Sequence, residues 1–535
     1  MKPLSPHWAD IAALKIVKKR EDSSDGSAKK PDEPYVVASG ITPSGKVHVG
    51  NFREVITVDL VARALASLGK NVRFIYSWDN FDTFRKVPKN VPDGEGFVEY
   101  LRKPIARIPD PWGNAQSYAE GRIRLFEDEV KEVGISPEFI YQEAAYAGGN
   151  YAEGIRRALE SKDVIAGILN QHRSTPLPAE WLPTSVYCSE CQKDEMVTQS
   201  YDGGWNYSYE CASCGHKESF DIRESKNIKL GWRVDWPMRW AFEKVDFEPG
   251  GKDHSSEGGS FDTAKDIVAD VYNWNAPEYL QYDFVMIKGG SGKMSSSSGE
   301  LITLGEVLEV YDPQIVRWIF AGHRPNHDFA LAFDEDVIKI HEEFDKAEQV
   351  ALGPVPKKLG KYPVIRRTYE LSLVDGNIPE VAPYRAPFRE LCSRLQIFDK
   401  DIERTKKRYY ADQLKTEADV KAFDTRAACA IHWLENHAPA EFVFSINKEP
   451  VEVELSDKQN SALVALKEWV GATEIENLSP KEINDFLYSE VVHKVEAEPR
   501  EVFLAVYKKI ISRDRGPRLP SFLKEVGKER ILQLL

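Results

Sequence analysis

Three groups of residues in this 535-residue chain have the types and spacing to do chemistry. The first is a pair of cysteine pairs, Cys188-x2-Cys191 and Cys211-x2-Cys214, nineteen residues apart. That spacing is the four-thiolate pattern of a zinc site. Four thiolates close the coordination shell, so the metal expected there is structural, with no open position for a substrate. His216 is an alternative ligand, and a redox pair is the competing chemistry. The second group is SGITPSGKVHVGNF, Ser39 to Phe52. A glycine-rich turn running into a helix lets backbone N–H groups face an anion. Gly40 and Gly45 permit close backbone approach, Gly50 can pack under a nucleotide base, and His48 can aim its ring at a phosphate. The segment is neither GxxxxGK[ST] nor GxGxxG, and a tight turn with one exposed histidine is the plain alternative. The third group is the Gly/Ser stretch Gly289–Gly299 around Lys293, which by itself reads as a surface loop.

These groups need a scaffold. Tyr35–Ser39 and Val72–Trp78 are β-branched and aromatic, hence buried strands. Between them, Asn51–Leu68 has apolar residues at helical spacing, and Gly69 is a helix stop. Strand, glycine loop, helix and strand begin a parallel βαβ sheet. Helical patterns recur over 116–133, 151–169 and 260–272, and Phe284–Ile287 reads as a further strand. The cysteine cluster falls between, so one sheet domain is interrupted by a long insertion and then completed. From about Gly353 the strand signals fade, and 385–395, 419–436 and 461–470 have helical spacing. Cys392 and Cys429 lie in apolar helical contexts and are expected in the core.

Composition bounds the class. Lys+Arg number 71 and Asp+Glu 85, for a net charge of −14, and 42% of residues are hydrophobic. No run approaches a membrane span, and Met1–Arg20 lacks the features of a secretory signal. Six cysteines are too few for a disulfide scaffold at this length. Membrane, collagenous, disordered and small secreted classes are excluded, leaving a large cytosolic enzyme. The acidic balance argues against coating nucleic acid indiscriminately but permits a local basic surface.

His48-Val49-Gly50-Asn51 resembles the HIGH signature of class I aminoacyl-tRNA synthetases, and Thr42-Pro43-Ser44-Gly45 resembles the form seen in the glutamyl and lysyl branch. Lys293-Met294-Ser295-Ser296-Ser297 resembles their second signature, KMSKS. Asn51 stands where a second histidine is usual and keeps an amide donor. Ser296 stands where a second lysine is usual, which leaves Lys293 as the loop's cation. YSWDNFDTFRKVP, LGWRVDWPMRWAFEKV, GKDHSSEGGSFDTAKDI and HRPNHDFALAFDEDVIKIHEEFDKAE together resemble the class I lysyl-tRNA synthetases. The resemblance runs through most of 35–350 and loosely to the end.

The resemblance implies an α/β fold. A Rossmann-type parallel sheet catalytic domain would be split by a zinc-containing insertion and followed by an all-α C-terminal domain. The expected boundaries are a flexible segment at 1–33, the first sheet half at 34–95, the inserted zinc-knuckle domain at 96–225 and the second sheet half at 226–290. The mobile loop and stem-contact region would cover 291–350, and a helical anticodon-binding domain 351–535. ATP with Mg2+ would be bound by Pro43, Gly45, His48, Gly50, Asn51, Lys293, Met294, Ser295 and Ser296, with His48, Asn51, Lys293 and Ser297 acting on the phosphates. L-lysine would be bound by Gly40, Thr42, Asp79, Trp232 and His254. Structural Zn2+ would take Cys188, Cys191, Cys211 and Cys214.

A lysine side chain is an apolar stem ending in a cation, and an indole can cover the one and attract the other. The ammonium also needs a carboxylate, with Asp79, Asp82 and Glu257 as candidates. Trp232, Trp236 and Trp240, four residues apart, can equally form a core stripe, and His254 can be a core histidine. The partner tRNA(Lys) would meet a basic surface at Arg404–Tyr410 or Arg513–Arg518, with Tyr409 or Tyr410 stacking on an unpaired base; a solvated helix face is the alternative. A cytoplasmic enzyme with no membrane partner is expected. Competing readings are a glutamyl enzyme of the same subgroup, a catalytically idle tRNA-binding paralogue and a plain nucleotidyltransferase.

Overall fold

A computed structural model describes residues 7–21, 30, 32–89, 91–290 and 301–535. The chain divides into two compact units. One comprises Met1–Val307, Pro313–Leu331 and Val350–Pro379, and the other Leu308–Asp312, Ala332–Gln349 and Glu380–Leu535.

The first unit is built on α1 (Trp8–Glu21), β1 (Tyr35–Ile41), α2 (Val49–Ser67), β2 (Val72–Trp78), α3 (Tyr118–Glu132) and β3 (Glu138–Tyr141). The helices α4 (Gln142–Ala147), α5 (Ala152–Glu160) and α6 (Lys162–Asn170) follow. Next come β4 (Thr184–Val186), β5 (Met196–Tyr201), β6 (Asn206–Cys211), β7 (Lys217–Asp221) and β8 (Ile228–Leu230). The chain returns through α7 (Trp232–Glu243), β9 (Val245–Gly251), α8 (Ser260–Asp270) and β10 (Glu278–Tyr282). Five strands form one parallel sheet in the order β10-β9-β1-β2-β3. The chain winds outward from β1 to β3 on one side and from β9 to β10 on the other. The order therefore reverses at β1 and β9, and the carboxyl ends of those two strands open a crevice. Gly40, near the end of β1, is paired with Ser77. A Cβ on Gly40 would lie 2.5 Å from the Ser77 carbonyl oxygen, so only glycine lets the strand ends meet this closely. At the end of β9, a Cβ on Gly250 would lie 2.0 Å from the Tyr279 hydroxyl.

The remaining elements of this unit include β11 (Val285–Ile287), α9 (Leu304–Leu308), α10 (Pro313–Gly322) and β12 (Phe329–Leu331). The second unit takes most of α11 (Asp336–Leu352), while α12 (Tyr362–Ser372) returns to the first. Then follow α13 (Phe388–Ile397), α14 (Ile402–Tyr409), α15 (Glu417–Asn436), α16 (Asp457–Ala472), α17 (Pro480–Phe486), α18 (Pro499–Ile511), α19 (Leu519–Val526) and α20 (Lys528–Leu534). The second unit's core includes Leu466, Ile510, Phe522 and Leu534. Arg426 on α15 is fully buried, grips Asp345 with two hydrogen bonds of 2.7 and 2.8 Å and donates a third to the Ala386 carbonyl. Cys392 and Cys429 are buried in this unit.

Several boundaries differ from the sequence reading. Residues 8–21 belong to a segment expected to be flexible, yet they form α1, whose Ala9, Ala12, Ala13 and Ile16 are buried. The rest of the polar lead-in, at 22–29 and 31, lies outside the described residues. The helix expected over 151–169 breaks at Ser161 into α5 and α6. The strand expected near 284–287 does not complete the main sheet. It pairs with β12 in a separate two-stranded sheet, and the main sheet is completed by β9 and β10. β9 is VDFEPGG, whose proline and two glycines mask it as a strand. The helical region expected to begin at 351 gives its first part, through Pro379, to the first unit.

One buried ion pair fastens α1 to the sheet. Arg20 Nε donates to Asp246 Oδ1 at 2.5 Å, both side chains being almost wholly buried. The other Asp246 oxygen accepts the Val36 amide at 2.7 Å, and Arg20 also donates to the Val245 carbonyl. The pair thus joins α1, β1 and β9. Removing one partner leaves an uncompensated buried charge, which costs about 3–5 kcal/mol. Arg20→Leu is therefore expected to lower the thermal midpoint of the first unit by several degrees, and scanning calorimetry checks this.

Candidate functional site

At the carboxyl ends of β1, β2, β9 and β10 lies a cavity of about 790 Å³. Its lining includes Gly40 and Thr42 after β1, Asp79 and Asp82 after β2, and Trp232 and His254. Residues far apart in the chain, drawn into one expected group, are thus neighbours in space. Asn51 lines the same cavity, but Glu257 is not among its lining residues.

The buried charges in this cavity are held by partners, while Arg85, Lys86 and Lys89 line it as exposed residues. Asp82 accepts from Lys229 Nζ at 2.5 Å and from the Thr42 hydroxyl at 2.7 Å. Burial raises its pKa, but the Lys229 charge and these hydrogen bonds outweigh it and hold Asp82 below the usual carboxylate value. Asp79 accepts from Arg239 Nη1 at 2.9 Å, and Arg239 also pairs with Asp235 at 3.1 Å. Burial pushes Asp79 up, against the pull of Arg239. Ser77 is part of the same network, accepting from Arg239 and from Gln142, each at 2.6 Å. Two further carboxylates line the cavity. Glu54 on α2 accepts the Gly40 amide at 3.1 Å and the Tyr282 hydroxyl. Glu248 on β9 accepts the indole N–H of Trp236 at 3.0 Å and of Trp240 at 2.6 Å. Burial drives Glu54 up to about 8, despite the Tyr282 and Gly40 hydrogen bonds. Burial likewise raises Glu248.

The three tryptophans of α7 divide their work. Trp232 is 40% exposed, Trp240 only 1%, and Trp236 lies between. Trp232 and Trp236 line the cavity, and their rings stand 5.9 and 6.3 Å from the His254 ring. Trp240 is core. The stripe thus runs from cavity wall to interior along one helix face.

At the start of α2, His48 is the N-cap. Its Nδ1 accepts the Gly50 amide at 3.1 Å, and Asn51 Oδ1 accepts the His48 amide at 3.2 Å. The pair closes a capping box on the helix whose first turn faces the crevice. Pro43 and Gly45 lie in the loop between β1 and α2, and Gly50 lies in the first turn of α2. Lys293, Met294, Ser295, Ser296 and Ser297 lie outside the described residues.

The four thiols at Cys188, Cys191, Cys211 and Cys214 all lie within 4.8 Å of one another. Two of the separations are 3.6 Å, too long for a disulfide. Tetrahedral zinc with bonds of about 2.3 Å sets sulfurs about 3.8 Å apart, so the donor set fits that ion. His216 stands outside the group and interacts with Ser189 at 3.1 Å.

In the second unit, the two basic stretches expected to meet RNA reach one cavity of about 940 Å³, lined by Arg408, Tyr409 and Arg518 among others. Tyr410 is fully buried against Phe423 and Arg394, so it offers no stacking face. The burial follows from its place at the end of α14, where the chain turns into the core.

Sequence reasoning missed Glu54, Lys229, Trp236, Arg239, Glu248 and Tyr282. Helical spacing could have found two of them: Glu54 is three residues past Asn51, and Trp236 four past Trp232. The others arrive through long-range packing. No described helix is long and apolar enough to cross a membrane.

Comparison with known proteins adds to this geometry. The sequence profile of the family described as tRNA synthetases class I (K) matches residues 6–375. A lysine–tRNA ligase of Treponema pallidum is 42% identical over 536 residues, covering 99% of this chain and 98% of its own length. One from Borreliella burgdorferi is 43% identical over 98% of both chains. One from Thermococcus kodakarensis is 41% identical over 99% of both. Among solved structures, a glutamate tRNA ligase from Elizabethkingia meningosepticum aligns with a TM-score of 0.41 at 13% identity, over 94% of this chain and 98% of its own, a likeness too distant to carry an argument.

The raised Glu54 has a definite consequence for stability. An acid whose folded pKa exceeds its unfolded value of 4.5 favours the fold while protonated. That contribution is fully present below pH 4.5 and is lost as pH rises towards about 8. Each pH unit of that window costs up to about 1.4 kcal/mol. Glu54→Gln should flatten the decline between pH 5 and 8 in the ligand-free protein, as read from thermal midpoints across that range.

Proposed function

The chain belongs to the class I lysyl-tRNA synthetase family, and from that premise we propose that the cavity at the strand ends holds lysine and that the start of α2 holds the phosphates of ATP. The function is that of a lysine–tRNA ligase. The lysine carboxylate attacks the α-phosphate of ATP, forming lysyl-adenylate and releasing pyrophosphate. The lysyl group then moves to a hydroxyl of the terminal adenosine of tRNA(Lys), and AMP leaves. The observation that carries the substrate assignment is the charge of the cavity. Among its buried and half-buried lining residues stand four carboxylates, Glu54, Asp79, Asp82 and Glu248, and two cations, Lys229 and Arg239, while Arg85, Lys86 and Lys89 also line it and are exposed. An anionic side chain such as glutamate would find both buried cations already paired with Asp82 and Asp79, whereas a cationic one meets Glu54 and Glu248, which form no ion pair among the described residues.

Each part has a role that its position supports. Gly40 leaves room beside β1, and Thr42, fixed by Asp82, lies where the substrate's polar end can meet it. Trp232 covers the stem, and His254 stands beside it. His48, Asn51, Pro43, Gly45 and Gly50 lie at the N-terminal end of α2, where the helix dipole favours an anion. Lys293, Met294 and Ser295–Ser297 are assigned to the β- and γ-phosphates by resemblance to the second signature. Stabilising charge on the phosphates is the chief catalytic work in such a transfer. Mg2+ bound with ATP would neutralise charge between the phosphate oxygens. Zn2+ would be held by Cys188, Cys191, Cys211 and Cys214, away from the reacting atoms, to brace the inserted hairpins. The cavity where Arg408, Tyr409 and Arg518 meet is suited to tRNA, arginines to phosphate and the tyrosine to an unpaired base. A cytoplasmic enzyme follows from this role.

Pyrophosphate exchange with each amino acid in turn, with tRNA present, should proceed with lysine and not with glutamate; preference for glutamate would overturn the assignment. Trp232→Ala should lower kcat/KM for lysine about 5- to 150-fold, from roughly 1–3 kcal/mol of lost stem burial and cation–π attraction, with ATP binding nearly unchanged. Elemental analysis should find about one zinc per chain. Cys188→Ser should reduce both zinc content and thermal stability while sparing the chemical step in whatever protein remains folded.

A further inference from the structure

In the transfer step the terminal adenosine of tRNA must reach the lysyl group inside the strand-end cavity. The single-stranded 3′ end therefore has to cross the cavity mouth and bring its phosphates with it. The buried cations of the cavity, Lys229 and Arg239, are already paired with Asp82 and Asp79. Arg85, Lys86 and Lys89 also line the cavity, are exposed, and form no ion pair among the described residues. All three lie on the loop that follows β2, just beyond Asp82. A cationic track of this kind holds single-stranded nucleic acid by its backbone.

The loop is fixed at its root. Phe84, next to Arg85, is buried, with its ring centre 5.3 Å from that of Tyr118. Its amide donates to the Lys103 carbonyl at 2.8 Å, and its carbonyl accepts the Arg102 amide at 2.9 Å. The Thr83 hydroxyl donates to Asp194 at 2.7 Å and lies 2.9 Å from the Tyr187 hydroxyl. Asp194 also pairs with Arg102 at 2.8 Å. Tyr187 and Asp194 flank the Cys188-x2-Cys191 pair in the chain. The knuckle that carries two of the four thiols therefore also grips the base of the cationic loop.

We propose that Arg85, Lys86 and Lys89 carry the backbone of the tRNA's single-stranded 3′ end across the cavity mouth, and that Thr83, fixed by Tyr187 and Asp194, is the positioning residue that aims them. The inference rests on the reading of the chain as a lysine–tRNA ligase. The phosphates of ATP are assigned to the start of α2, after β1, whereas this loop follows β2 and is anchored on the insertion.

The triple variant Arg85→Gln/Lys86→Gln/Lys89→Gln tests this by equilibrium binding to tRNA(Lys) and to the same RNA lacking its single-stranded 3′ end. Loss of the phosphate contacts should raise the Kd of the intact RNA about 10-fold or more and make its dependence on log salt shallower by about 2. The Kd of the shortened RNA should stay within about 2-fold of the parent's, because the effect belongs to the missing nucleotides. Equal weakening of both RNAs, or no weakening of the intact one, overturns the proposal. So does a rise in the Kd of ATP with that of tRNA unchanged. Thr83→Val removes the hydroxyl at nearly constant volume and should weaken the intact RNA about 3-fold while sparing the shortened one, and Thr83→Ser should keep the parent's affinity. Weakening of both RNAs alike by Thr83→Val, or of neither, removes Thr83 from the positioning role. A parent that does not charge tRNA with lysine sinks the ligase reading itself. A parent that does, beside an unaltered triple variant, sinks only this assignment.

Discussion

Carboxylates removed from water must find compensation, and among the buried and half-buried residues lining the strand-end cavity four of them stand with two cations. Most of the site's architecture follows from how each is satisfied. Lys229 on β8 reaches from the root of the insertion to Asp82, which in turn orients Thr42. Arg239 on α7 bridges Asp79 and Asp235. Glu54 and Glu248 are left with uncharged donors, a backbone amide and hydroxyl for one and two indoles for the other. The insertion, α7 and the central sheet are thus tied together by the same network of buried charges that lines the cavity.

That network explains what sequence could and could not reveal. His48, Asn51 and the four cysteines are close in sequence to the neighbours that make them meaningful, so local spacing is enough to find them. Trp232 and His254 needed a family resemblance, because a tryptophan every fourth residue is equally a core pattern, and Trp240 does serve as core. Lys229 and Arg239 could not be found, since their partners lie 147 and 160 residues away. β9 was hidden for a related reason. Its Pro249 and glycines read as a turn, yet they are what permits the strand to end against Tyr279 at the crevice. α1 was misread because its sequence is strongly basic at one end, while its buried face is mostly alanine.

The inserted region shows a different economy. β5 is largely exposed, and β6 and β7 are joined by stacking of Tyr207 on Phe220, with ring centres 5.6 Å apart. Strands this short bury little apolar surface, and a small sheet needs another source of cohesion. The four gathered thiols stand where that cohesion is lacking. A tetrahedral metal would replace a core there, and Cys188 and Cys211, both buried, connect it to the tyrosines beneath.

The cap on α2 fixes more than a helix end. Because Nδ1 of His48 accepts the Gly50 amide, the neutral imidazole must carry its hydrogen on Nε2. The ring therefore exists as a single tautomer before any ligand arrives, with a donor at one edge and its acceptor already occupied. The identity and direction of that N–H are decided by the backbone of the helix.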